Sequence, residues 1–245
     1  MKVNCRSVVF VAICLLVLVA QVASAQNGQK DPDEIGVASP TGNNCNAVPD
    51  NAYNGTLGSM ACFTIAGPSG TVQNVDLQLG IDHTWAGDLT AKVVSPAGTV
   101  LTIFSRPGGA EPDDGVTPFC CGDSSDLIST SPLNFGDPLP NDPEQMGSTI
   151  LGTQFICQDD GICDYFANPG AGPGTNFAQF IGENAAGNWM VCLGDGAAGD
   201  TGFICDPVLN ISVGVPTMGR MALPILLILL IGASLLVMRR SALVG

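Results

Sequence analysis

Glycine and proline interrupt the middle of this chain about every ten residues, and that punctuation excludes long helices before any other feature is weighed. The chain holds 31 Gly and 17 Pro in 245 residues. Between the interruptions, apolar residues recur at every second position. In VDLQLGI, Val75, Leu77, Leu79 and Ile81 alternate with Asp76, Gln78 and Gly80, the period of a strand that buries one face. Leu89, Ala91 and Val93 continue the pattern after the Trp85-Ala86-Gly87 corner. SPAG at 95–98 turns the chain, and residues 99–104 return as the next strand. Later, Trp189, Val191 and Leu193 alternate, DGAAGD makes a polar loop, and residues 203–213 form a last β-rich run. The spacing predicts that these last two runs pair as a hairpin. Residues 48–213 are therefore expected to form one all-β domain, long enough for a β-sandwich with its own core.

The two ends have a different character. Lys2 and Arg6 precede the apolar run VVFVAICLLVLVA, and Ala23-Ser24-Ala25 follows it. That order predicts a secretory signal peptide over 1–25, cleaved between Ala25 and Gln26. Residues 26–47 hold almost no large apolar side chains and read as a disordered linker. At the other end, residues 221–238 are apolar throughout and run into Arg239-Arg240. At about 1.5 Å per residue a helix there reaches about 27 Å, close to a bilayer core of about 30 Å. The arginines favour the cytoplasmic side and leave the middle of the chain outside. The segment VPTMGRMALPILLILLIGASLLVMRR, within 214–245, resembles bacterial sorting signals of the IPTL-CTERM type, with Met218 where Leu is usual. The resemblance implies a bacterial envelope that recognises and removes the tail; a permanent anchor is the alternative.

Charge and cysteine agree with export. All 22 Asp+Glu lie between the terminal segments, against Lys30, Lys92 and Arg106 there. So acidic a surface repels nucleic acid and anionic lipid and suits cations or basic partners. Outside the signal stand eight cysteines: Cys45, Cys62, Cys120, Cys121, Cys157, Cys163, Cys192 and Cys205. An even number in an exported chain predicts up to four disulfides. Cys157 and Cys163 bracket QDDGI and are expected to close a small loop, while Cys192 and Cys205 are expected to cross the terminal hairpin. Neighbours Cys120 and Cys121 are expected to take different partners. The long Gly/Pro/Asp-rich stretch 107–185 is then functional or stapled.

The run VDLQLGIDHTWAGDLTAKVVSPAGTVLTIFSRPGG and the later GENAAGNWMVCLGDGAAGDTGFI resemble the P domain (P/Homo B domain) that accompanies the catalytic domain of kexin-like and furin-like proprotein convertases and of many exported subtilisin-type enzymes. The resemblance spans about residues 48–213 and implies a jelly-roll-like β-sandwich. His83, Thr84, Gly87, Asp88, Leu89, Trp189 and Gly202 fall on its structural signature, which carries no catalytic role. Two departures stand out: CDPVLNISV lacks the family's usual late tryptophan, and the loop stretch carries extra cysteines.

Catalysis finds little support in the residues. A Ser-His-Asp triad needs a histidine of its own, and the chain has one, His83, already within the P-domain signature. Gly67-Pro68-Ser69-Gly70 misses the nucleophile-elbow spacing, and no P-loop, dinucleotide fingerprint or H-E-x-x-H occurs. No catalytic residue is predicted. Asp82, Asp88, Asp195 and Asp200 sit in Gly-rich turns at strand ends and form the candidate calcium set, since calcium takes six to eight oxygens from carboxylates and carbonyls. The expected function is an envelope-displayed, non-catalytic binding module with a protein partner, such as a separately encoded protease or an envelope component. The alternative is a calcium-stabilised carbohydrate- or matrix-binding module, for which Trp85, Trp189, Tyr53 and Tyr165 provide few stacking surfaces.

Overall fold

The computed structural model describes residues 36–37, 44–110, 116 and 122–214, all within one compact unit, Glu34–Gly245. The signal segment with its Ala25-Gln26 junction, the 221–238 run, the sorting signal, and Cys120 and Cys121 lie outside the described residues. Among the described residues no helix is long and apolar enough to cross a membrane.

The fold is all-β and built from two sheets. In chain order the strands are β1 (Gly36–Val37), β2 (Cys45–Val48), β3 (Ala61–Gly67), β4 (Thr71–His83), β5 (Leu89–Val94), β6 (Val100–Ser105), β7 (Leu133–Phe135), β8 (Asp164–Tyr165), β9 (Gly187–Asp195) and β10 (Gly202–Gly214). One sheet has the order β1-β10-β4-β7-β8, with β2 also paired to β10. The other has the order β3-β9-β5-β6. The β7–β8 pair is parallel and the remaining strand pairs are antiparallel.

The core follows from the alternation. Val75, Leu77, Leu79 and Ile81 of β4 are buried, and Leu209 and Ile211 of β10 lie beside them. They face Leu89, Ala91 and Val93 of β5 and Trp189, Val191 and Leu193 of β9, all within one apolar cluster. Trp189 is fully buried; its indole N–H donates to the Ala185 carbonyl at 2.9 Å, and its ring meets Phe180 edge-on at 5.2 Å. A smaller cluster of Tyr53, Met60 and Cys192 covers the opposite face of the four-stranded sheet. Lys92 is buried there, its ammonium 5.1 Å from the Tyr53 ring centre.

Three expectations are corrected. First, β9 and β10 do not form a hairpin: β9 lies between β3 and β5, while β10 pairs with β4 in the other sheet. The loop after Asp195 is a crossover between layers, and period-two burial is the same for either sheet. Second, Cys192 and Cys205 therefore sit in different sheets and do not bond. Cys45 bonds Cys205 across β2 and β10, and Cys62 bonds Cys192 across β3 and β9, each pair directly opposite in register. The Cys157–Cys163 loop closes on itself as expected. Third, the expected linker 26–47 contributes to the sheet, with β1 and the start of β2 paired to β10. The Cys45 disulfide supplies the anchorage that this polar segment lacks in apolar side chains.

These bonds differ in what they constrain. With Cys45 tied to Cys205, the Cys62–Cys192 bond closes a loop of only roughly 30 further residues in the unfolded chain, worth about 3–4 kcal/mol by chain entropy. The Cys157–Cys163 bond, with a separation of 6, is worth about 2 kcal/mol on the same scale. Denaturant unfolding of the Cys62→Ala/Cys192→Ala and Cys157→Ala/Cys163→Ala double variants should rank in that order. Equal losses would show that native packing, not loop closure, sets their contributions.

Candidate functional site

The only histidine lies where the two sheets meet. His83 ends β4 and Asp195 ends β9, and the His83 Nε2 to Asp195 Oδ2 distance is 3.3 Å with both side chains fully buried. The Trp85 backbone N–H donates to Nδ1 at 3.1 Å. An accepting Nδ1 leaves the proton on Nε2, which donates to the Asp195 carboxylate. Both ring nitrogens are thereby used inside the protein. The His83 N–H and carbonyl also exchange hydrogen bonds with Leu127, which docks the 122–131 segment onto the strand end.

The neighbouring motif residues each have a local physical task. Thr84 donates its hydroxyl to Asp200 at 2.6 Å, tying the β4 end to the crossover loop. Gly87 packs so closely that a Cβ there would stand 2.4 Å from the Gly122 Cα. Leu89 enters the core with no exposure. Gly202 lies opposite His83 in register, and a Cβ would come within 2.5 Å of the His83 ring. Asp195 also accepts the Ala197 N–H at 3.0 Å, which turns the chain into the crossover.

The four aspartates proposed for calcium do not gather as one set. Asp82 precedes His83, so its side chain falls on the opposite face of β4, where it accepts the Ser129 N–H at 2.7 Å and the Ser129 hydroxyl at 2.9 Å. The sulfurs of Cys45 and Cys205 lie close to that carboxylate, but they are bonded to each other and offer no thiolates to a metal. Asp88, Asp195 and Asp200 do remain electrostatically coupled. Burial, then the Asp195 charge, raise the Asp88 carboxyl to about 6; His83 and Arg106 oppose the shift and Asp200 adds to it. Asp126 is raised in the same sense, by burial and by Asp200.

Two features of this end were not anticipated. Arg106 is almost fully buried and donates through Nε to the Gly87 carbonyl at 3.3 Å, holding the corner beneath Asp88. Asp126 belongs to a Gly/Asp-rich stretch that reads only as loop, and its place beside the crossover depends on β-bridges that leave no local signature. A basic residue following an apolar strand, as in IFSRPGG, was the available hint for Arg106.

Residues 72–119 match the sequence model of the proprotein convertase P-domain family. The P-domain match takes in β4, β5 and β6 with the His83–Leu89 corner, while Trp189, Asp195 and Gly202 lie beyond it and are brought against it by the fold. No curated protein matches the chain. Among solved structures, the serine protease of Aeromonas sobria is similar at 18% identity and a TM-score of 0.35, with 78% of this chain covering 29% of that one. The same protease in complex with its chaperone gives 18% and 0.35, with 28% of that chain covered. The chain thus spans less than a third of the length of either protease chain.

The raised Asp88 carboxyl sets a pH dependence of definite sign. The folded protein binds this proton more tightly than the unfolded chain, so stability from this group falls as pH rises from 3.8 to about 6 and is level above. Asp88→Asn removes the titration and keeps the shape. The variant should gain on the wild type through that interval, by up to about 3 kcal/mol at neutral pH. Thermal melts across the interval check this, and parallel curves would reject it.

Proposed function

We propose that the chain is an exported, jelly-roll-like P-domain module that acts without catalysis of its own, held at a bacterial envelope by its C-terminal segment and serving a subtilisin-type serine endopeptidase encoded separately. The observation that carries the reading is the state of His83. A general base must present a ring nitrogen to a nucleophile. Here Nε2 is bonded to Asp195 and Nδ1 to the Trp85 amide, with the residue 3% exposed. The P-domain match supports the accessory role, and the three disulfides among the described residues suit an oxidising, exported setting. The test uses the purified full chain with a chromogenic peptide ester and a serine-reactive fluorophosphonate. Neither turnover nor labelling is expected. Labelling of one serine, with turnover abolished by its alanine variant, would overturn the reading.

The residues expected to hold calcium do not fit it as a set. Among the described residues Asp88, Asp195 and Asp200 do not bring their carboxylate oxygens together as a metal-binding group, and Asp195 is committed to His83 and Ala197 as Asp82 is to Ser129. Calcium takes six to eight oxygens, so melts at neutral pH in calcium chloride and in chelator should coincide. A rise in calcium that Asp88→Asn abolishes would reject this.

A further inference from the structure

The outer face of the six-stranded sheet, away from the His83 corner, carries a groove of about 380 Å³. Its polar lining comes from four neighbouring strands: Asp76 and Gln78 of β4, Asn134 of β7, Asp164 of β8 and Asn210 of β10. Three of these residues, Gln78, Asn134 and Asp164, hold one another in a row, with Asp76 held separately by Asn74. Asn74 Nδ2 donates to Asp76 at 2.6 Å, Gln78 Nε2 to the Asn134 side-chain oxygen at 3.0 Å, and Asn134 Nδ2 to Asp164 at 2.8 Å. The row fixes which way the Gln78 and Asn134 amides point, so their donors and acceptors are laid out in advance of any ligand. Leu139 and Val208 add aliphatic surface to the same groove.

From this geometry we infer that the groove binds an uncharged glycan. The size suits a short saccharide, and ligand sites of this kind begin at about 300 Å³. The chemistry selects hydroxyl groups. A hydroxyl both donates and accepts, which suits carboxylate oxygens beside the second N–H of each amide, whereas a lysine ammonium only donates and leaves those second N–H groups unmatched. Anionic ligands are disfavoured because among the described residues no cation lines the groove, and Lys92 and Arg106 are both buried elsewhere. The aliphatic rim takes the C–H face of the sugar in place of an aromatic platform, and the dissociation constant is expected to be on the order of 1 mM. This goes beyond the accessory role proposed above, since it assigns a ligand to a face remote from the Asp88 corner.

The experiment is an NMR titration of the isotope-labelled full chain in a zwitterionic detergent that lacks a sugar headgroup. The probes are cellotetraose, maltotetraose, mannotetraose and chitotetraose, with tetralysine as the charged comparison. Saturable shifts of the Gln78, Asn134 and Asn210 side-chain amides with at least one oligosaccharide are expected. They should weaken at least tenfold in Gln78→Ala and in Asp164→Asn, while the Trp189 indole signal stays in place as a check on folding. Absence of saturable shifts from all four saccharides, or shifts from tetralysine alone, would overturn the inference. So would saccharide binding that both variants retain.

Discussion

The arrangement of this molecule turns on one buried pair, His83 with Asp195. Each residue ends a long strand, and the two strands belong to different sheets. A carboxylate without solvent is costly unless it is hydrogen-bonded, and Asp195 is satisfied on both sides, by the imidazole and by the Ala197 amide. That satisfaction fixes the start of the crossover. The chain then returns at Gly202, placed beside the same imidazole by its register with His83. Losing the imidazole leaves a buried carboxylate short of a donor, at a cost of about 1–3 kcal/mol. Both ends of the crossover are placed against it.

The strands were legible because burial on one face imposes a period of two. Val75 through Ile81, Leu89 through Val93 and Trp189 through Leu193 announced their faces, and the folded protein buries those residues. Sheet membership was not legible. DGAAGD is as suited to crossing between layers as to closing a hairpin, and nothing local distinguishes the two. The wrong hairpin carried a wrong disulfide with it, since Cys192 and Cys205 are neighbours only if β9 and β10 pair. The Cys157–Cys163 bond needed no topology, only a separation of 6 residues, and so it could be read directly.

The candidate site divided along the same line. Adjacent residues on a strand face opposite sides, so Asp82 and His83 cannot serve one centre, whatever their nearness in sequence. Asp88 and Asp195 are far apart in the chain and meet because β5 and β9 are neighbours, with Leu89 opposite Asp195. Partnership between loops is invisible to spacing, and the Asp126 and Arg106 contributions are of that kind. The residues of the HTWAGDL segment were recognisable as a group, yet the reason for each, a close backbone approach at Gly87 or a loop tie at Thr84, appears only in three dimensions.

The distribution of charge explains why so acidic a domain tolerates its own repulsion. Its two described cations are not spent on solubility. Lys92 lies under the loop that contains Tyr53, and Arg106 lies under the Asp88 corner. Arg106 lowers the Asp88 carboxyl from within, while Asp195 and Asp200 raise it, and burial decides the balance in favour of the proton. The exterior keeps its acids, and their side chains are largely occupied in turning loops: Asp123 accepts the Ser125 amide, Asp137 those of Phe177 and Ala178, and Asp160 those of Cys157 and Ile162. An aspartate that holds backbone amides gains a partner without needing a lysine. A sandwich with long Gly/Pro loops can therefore order them through carboxylates and disulfides.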